Sequence, residues 1–385
     1  MDENGAVERD GADRLGCDFE RSEKGEPFGE EVESGRKRLL VTGAGGFCGS
    51  HAVRHFAQAG WEVIAGTRPG SPPFWADPAR RPEWFAPSGG EPEWLSVVAV
   101  EALDLSEQGT ASLAGLLRRT RPDAVLHLAG LNAAGPSWTD PFAYMDTNLM
   151  GTVRLLEAIR ASGHPCRIVV AGSMLSGPAD GPLPAKPLHP YALSKGMQAQ
   201  AALAWHALYG LDALVAVPSN LVGPGPSAGL SRLLARYAAA CEHAAASQKC
   251  GSATADSSAD SSASAPNVEA ESSTPPLFRL SSAAETRDFL DVRDAMRGYE
   301  TLLERGAAGS SYAMASGVMT PLGQLAELYR ELAHVPLPMD IGGSLAASPD
   351  PADASALRAL GWSPRIPLRE SARDTLEDSR AAGRS

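Results

Sequence analysis

The chain has 385 residues, 43% of them hydrophobic, and a formal net charge of −12. That length allows one large domain or two smaller ones, and the composition is ordinary for a soluble globular protein. The acidic balance argues against nucleic acid as a partner, since phosphate binding needs a basic face, and no apolar run approaches the roughly 18 residues of a membrane span.

Residues 1 to about 36 form an acidic tail. Twelve Asp/Glu and four Lys/Arg in the first 34 residues supply −8 of the −12. With few apolar residues and no helical period, the tail is expected to be disordered. It lacks the basic start and apolar core of a signal peptide. The five cysteines, at 17, 48, 166, 241 and 250, show no metal-ligand spacing. Reduced thiols in a cytoplasmic protein without a bound metal are the simplest account.

Residues 39–51 read LLVTGAGGFCGSH. An apolar run ends in Thr42, glycines follow at 43, 46 and 49, and a helical pattern begins near Ser50. The pattern predicts a strand, a tight turn and a helix start, with Phe47 inside the turn. Gly43 allows the turn, Gly46 lets backbone approach a pyrophosphate, and Gly49 lets the helix pack on the strand. The free N–H groups at the helix start then face phosphate charge. The spacing is G-x-x-G-x-x-G, and the strand-to-helix context supports a dinucleotide loop.

To about residue 222, strand-like runs (39–42, 62–66, 124–128, 167–171, 213–217) alternate with helical patterns (50–58, 111–119, 147–162, 191–209). Such alternation predicts an α/β fold with a doubly wound parallel sheet, a Rossmann domain over 37–222. Residues 69–94, rich in Pro, Gly and Trp, read as an irregular excursion between two strands. After 222 the alternation fades, and a smaller C-terminal substrate domain is expected over 223–385. Within it, residues 242–276 are dominated by Ser, Ala and Thr and read as a low-complexity surface insert. Beyond it the pattern predicts a strand at 277–280, a helix at 292–304, a strand at 311–315, a helix at 320–332, and a final helix–turn–helix.

The segment PYALSK at 190–195 opens a helix and sets Tyr191 and Lys195 four apart on one face. A free phenol, with a pKa of about 10, is a poor acid–base catalyst at neutral pH. A nearby ammonium favours the phenolate and draws that pKa toward working pH. Lysine also reaches far enough to bond a ribose hydroxyl.

The glycine loop and the Tyr191/Lys195 pair together resemble the extended short-chain dehydrogenase/reductase family, in its nucleotide-sugar epimerase, dehydratase and reductase branch. The likeness spans about residues 38–380 apart from the insert. HLAG at 127–130 is similar to the end of the family's fourth strand beside the cofactor, which implies cofactor contacts at Leu128 and Ala129. TNLMGT at 147–152 matches the following helix and implies a cofactor role for Asn148. Asp104 and Leu105 resemble the family's Asp-Leu at the adenine. VPSNLVGPG at 217–225 resembles R-P-x-N-x-x-G-P-G with Val217 in place of Arg, and implies that Asn220 meets substrate. RDFLDVRD at 287–294 implies that Arg287 clamps a sugar-nucleotide diphosphate, an ion pair with Asp288 or Asp291 being the plain alternative. Asn132 lies where the family often has a substrate-facing polar residue. The wording around 287–306 and 190–195 looks most like GDP-4-keto-6-deoxymannose reductases and GDP-mannose 4,6-dehydratases.

Two departures bear on chemistry. The family's fifth-strand Ser/Thr position falls on Gly172, and a one-residue shift lets Ser173 supply the hydroxyl. The acid that dehydratases carry two positions later is replaced by Met174, whose thioether has no proton to give. Dehydration is disfavoured; reduction or 4-epimerisation remains, with a non-catalytic dinucleotide-binding regulator as the other alternative. For the cofactor, the second strand ends in AGTRPGSP without the acidic residue that binds a ribose 2′-OH. Arg68 suits a 2′-phosphate instead, so NADP is expected ahead of NAD. The resemblance also implies a homodimer packed through the helices at 147–162 and 191–209.

Overall fold

In chain order the first half comprises β1 (Arg38–Thr42), α1 (Phe47–Gln58), β2 (Glu62–Thr67), β3 (Val98–Ala102), α2 (Thr110–Thr120), β4 (Ala124–His127), α3 (Ala134–Thr139), α4 (Pro141–Tyr144), α5 (Gly151–Ser162), β5 (Arg167–Ala171), α6 (Pro190–Tyr209) and β6 (Ala213–Pro218). A computed structural model describes residues 35–383 apart from 87–89, 178–180, 182, 185, 256–274 and 345–347. The acidic tail therefore lies outside the described residues, except for its last two positions.

The second half comprises β7 (Asn220–Val222), α7 (Leu230–Ala255), β8 (Phe278–Leu280), β9 (Thr286–Asp291), α8 (Val292–Arg305), β10 (Ser311–Met314), β11 (Met319–Pro321), α9 (Leu322–Leu332), β12 (Met339–Ile341), α10 (Ser355–Ala359) and α11 (Leu368–Ala382).

Seven parallel strands form one sheet in the order β10-β6-β5-β4-β1-β2-β3. Its central strands are apolar on both faces because helices cover both. Leu39, Val41 and Leu126 point into a core shared with α1 and α8. Leu40 and Val125, one residue out of phase, point into a second core with α2, α5 and α6. The expected doubly wound sheet is borne out. β3 escaped the sequence reading because this edge strand carries only half-covered or exposed residues, and Val100 is 46% exposed.

Local chemistry explains α6. Pro190 occupies its first turn, and the Nδ1 of His189 accepts from the Ala192 N–H at 3.0 Å. Gly210, at φ +69°, ends it in the left-handed conformation that glycine adopts most readily.

A three-stranded sheet, β11-β9-β7, and a two-stranded pair, β12-β8, lie with α7, α9 and α11 over a third core that includes Leu234, Leu325, Tyr329 and Leu376. Two details differ from the sequence expectation. First, α7 continues to Ala255, so residues 242–255 are helical; alanine is the strongest helix former and carries the helix on. The remainder of the expected insert, 256–274, lies outside the described residues. Second, β10 pairs in parallel with β6, and α8 packs on the large sheet. Residues 292–314 thus return to the first layer, and 222 is not a clean division. Among the described residues no helix is long and apolar enough to cross a membrane, and no cluster of His, Cys, Asp and Glu is set to hold a metal.

Candidate active site

Strand order reverses between β1 and β4, and in an open parallel sheet a ligand crevice forms outside the strand ends at such a point. The glycine turn leaves β1 there. Gly43 has φ +69°, and a Cβ on it would stand 2.9 Å from the Cα of Ala129. A Cβ on Gly49 would fall 2.0 Å from the Gly43 carbonyl oxygen, so only glycine lets α1 lie this close to β1. Gly46 caps α1 with no side-chain hydrogen bond, and no acidic residue stands in the first turn. The first N–H groups of α1 have no acceptor inside the helix. These features fit the phosphates of a dinucleotide.

A cavity of about 670 Å³ opens on this turn. Gly43, Gly46, Phe47, Gly49, Arg68, Asp104, Leu105, Leu128, Ala129 and Asn132 all line it. Asp104 also accepts from the Ser106 N–H at 2.9 Å, so it is a turn residue as well as a wall residue. Arg80 and Phe74 line the same cavity and were not read from the sequence. They come from the Pro/Trp-rich excursion, whose Trp75 is 1% exposed and donates from Nε1 to the Ala44 carbonyl at 3.0 Å. Trp75 stacks on the buried Phe85. The crowding of Phe and Trp between residues 74 and 94 was the available signal for a folded segment rather than a free loop.

A second cavity of about 630 Å³ shares Phe47, Cys48, Leu128, Gly130, Leu131 and Asn132 with the first. Ser173, Tyr191, Lys195, Asn220 and Arg287 line it. Tyr191 is 8% exposed; its ring meets Tyr144 edge-on and stacks on His189. Burial pushes the phenol pKa up, and a hydrogen bond with the Ser173 hydroxyl pulls it back. The expected lowering by Lys195 is not among the causes. The Lys195 ammonium is held by the Ala171 carbonyl and Gln198 Oε1, each at 2.5 Å, and burial lowers its pKa to about 8. Ser173 brings its hydroxyl to Tyr191 and also accepts from the Leu175 N–H at 3.3 Å.

Asn148 lies deeper than the other residues expected at the cofactor. It is fully buried and lines neither cavity. Its Oδ1 accepts from the Leu131 N–H, and its amide donates to the Leu131 carbonyl and Ser194 Oγ. It clamps the loop under the cavities. The cause is local: residues Met145–Met150 form a π-helical turn ahead of α5, which turns Asn148 inward and leaves Asp146 and Thr147 on the wall. Arg287 pairs with Glu285, not with Asp288 or Asp291, and also donates to the Thr286 carbonyl. Asp288 is taken up by Ser316 and the Gly317 N–H. The Asn220 amide donates to the Asp288 carbonyl at 2.9 Å.

A family model described as "NAD dependent epimerase/dehydratase family" matches residues 39–315. The chain is 27% identical over 355 residues to the GDP-6-deoxy-D-mannose reductase of Pseudomonas aeruginosa, covering 89% of this chain and 97% of that protein. The structure of RMD from Pseudomonas aeruginosa complexed with NADPH superposes with a TM-score of 0.64 at 26% identity, over 90% of this chain and 99% of that one. A Thermus thermophilus UDP-glucose 4-epimerase complexed with NAD shares the fold, with a TM-score of 0.66 at 21% identity, over 90% of this chain and 99% of that one.

Proposed function

The chain belongs to the NAD dependent epimerase/dehydratase family, and from that premise we propose that it is an NAD(P)-dependent oxidoreductase that reduces the C4 keto group of a GDP-4-keto-6-deoxy sugar. The observation that carries this reading is Tyr191, Ser173 and Lys195 lining a cavity continuous with the glycine turn, with Met174 beside them where an eliminating enzyme needs an acid.

The chemistry supplied there by bound NADPH is hydride transfer to the C4 carbonyl carbon. Ser173 donates to the carbonyl oxygen and polarises it. Tyr191 gives its proton to the same oxygen as negative charge develops. Lys195 spends two N–H groups on Ala171 and Gln198, which leaves the third for the nicotinamide ribose. Arg287 keeps N–H donors beyond those used on Glu285 and Thr286, and these suit a diphosphate. Asn132 and Asn220 are assigned to substrate. Segments after residue 222 supply Arg287, Phe289 and Met319 to the second cavity, which supports a substrate-binding role for that half. The exposed Leu208 and Tyr209 at the end of α6 support a homodimer through that helix and α5.

The test is turnover of GDP-4-keto-6-deoxymannose with NADPH. Stoichiometric cofactor oxidation supports the reductase. Isomerised sugar without net oxidation means a 4-epimerase. Cofactor binding without turnover on a panel of sugar nucleotides means a regulator.

Arg68 and Arg80 on the first cavity support NADPH over NADH. Arg68→Glu is expected to weaken NADPH binding about tenfold or more, the scale of one charge-assisted contact, and to leave NADH binding nearly unchanged. Fluorescence titration with both cofactors checks this; an equal loss for both would remove Arg68 from the 2′-phosphate site.

A further inference from the structure

The Lys195 ammonium is the end of a buried chain of hydrogen bonds whose donors and acceptors can be assigned one after another. Lysine only donates, so the Gln198 amide must present Oε1 to it. Gln198 Nε2 therefore faces Thr152 and donates to its Oγ1 at 2.8 Å. The Thr152 hydroxyl gives its own hydrogen to the Asn148 carbonyl at 2.7 Å, since a carbonyl only accepts. Thr152 Oγ1 must then accept from His127 Nε2, 2.8 Å away, which puts the imidazole proton on Nε2. His127 Nδ1 is left bare and accepts from Thr42 Oγ1 at 2.7 Å. Thr42 Oγ1 in turn accepts the N–H groups of Leu128 and Ala129 at 3.1 and 3.0 Å.

These donor and acceptor assignments are mutually consistent along the whole chain. Thr42, Thr152 and Gln198 are 0% exposed and His127 is 1% exposed. A second imidazole proton would have to displace the Thr42 hydrogen, in keeping with burial holding His127 at a pKa of about 3. The two ends of the chain are functionally distinct. One is the Leu128–Ala129 backbone against which Gly43 packs, the floor of the dinucleotide cavity. The other is the ammonium beside Tyr191 in the second cavity.

We infer that Gln198 is a positioning residue for Lys195, and that it works through Thr152 and the Nε2–H tautomer of His127 to hold the ammonium in register with the backbone floor of the cofactor site. The inference rests on Tyr191 and Lys195 being the reacting pair. A fully satisfied buried polar network fixes one arrangement, because breaking any link strands a polar group away from water. An ammonium misplaced by about 1 Å is enough to cost two orders of magnitude in rate.

The experiment compares Gln198→Met and Gln198→Glu in the full-length protein, with folding checked by circular dichroism. Methionine keeps the length and removes both the acceptor for Lys195 and the donor to Thr152; glutamate keeps an acceptor at Lys195 and removes only the donor. With NADPH and GDP-4-keto-6-deoxymannose, kcat for Gln198→Met is expected to fall about tenfold to a hundredfold, with KM changing less than kcat, and Gln198→Glu is expected to recover the part of the loss that comes from the missing acceptor, the link to Thr152 staying broken. A wild-type kcat for Gln198→Met, or two variants equally slow, overturns the role. If the wild-type protein does not turn over that sugar, the substrate reading fails separately, and the same comparison is made on NADPH affinity, where Gln198→Met is expected to bind about tenfold more weakly. Nitrogen-15 spectra of labelled histidine provide an arm that needs no substrate. His127 is expected to stay neutral with its proton on Nε2 between about pH 5 and 8; a proton on Nδ1 overturns the assignment.

Discussion

Replacing Tyr191 with Phe is expected to lower kcat for the keto sugar by about 10²- to 10⁴-fold, the usual worth of a positioned proton donor. NADPH affinity should remain near that of the wild-type protein. The ring keeps its packing, edge-on to Tyr144 and stacked on His189, so the change removes a proton and little else. The bond lost to Ser173 is worth only about 1 kcal/mol in stability. A stopped or slowed NADPH oxidation trace in a protein with an unchanged melting curve is the predicted result. Undiminished turnover would exclude Tyr191 as the acid, and with it the reaction proposed.

The second large effect is expected at Gly49. A methyl placed there meets the Gly43 carbonyl oxygen at 2.0 Å and the Ala44 Cα at 2.7 Å, and both are backbone. No side chain can swing aside, so α1 must back away from β1. That separation opens the core at Ser50 and Val53, both 0% exposed. Gly49→Ala should cost about 3 kcal/mol or more, at the upper end of overpacking changes, and should abolish cofactor binding because the phosphate turn is carried by the same backbone. Gly115, inside α2, is the control: its added methyl meets nothing within 4 Å, and Gly115→Ala should stabilise the protein by about 0.5–1 kcal/mol. Thermal unfolding of both variants, with and without NADPH, decides the matter; equal melting temperatures would show that the turn tolerates a side chain.

Much of this arrangement was legible in the residues. The glycine triplet, the Tyr191/Lys195 spacing and the alternation of apolar runs with helical patterns are local signals, and the elements they predict are present. What escaped was non-local. The π-helical turn that places Asn148 inside the protein is announced by no local pattern. The Ser173 hydroxyl was left open in register because only the strand end decides which of residues 172 and 173 faces the phenol. The influence of Lys195 on Tyr191 was read from spacing alone, yet the ammonium is occupied by Ala171 and Gln198. Gln198 carries no motif, Thr152 is only the last residue of TNLMGT, and their role emerges only when α5 and α6 are brought side by side. Arg80 reaches the first cavity from an excursion whose shape is set by Trp75 and Phe85, far from any periodic pattern.

The place of β10 in the sheet has a consequence for biosynthesis. The strand that covers the open side of β6 is made almost a hundred residues after it, beyond the whole of α7 and β9. Until the ribosome has released Ser311–Met314, a row of backbone groups on β6 stands unpaired and offers a template to any other nascent strand. A fragment cut near residue 222 inherits that exposed edge permanently, so the nucleotide half is not a self-sufficient unit for expression or for transplantation into another protein.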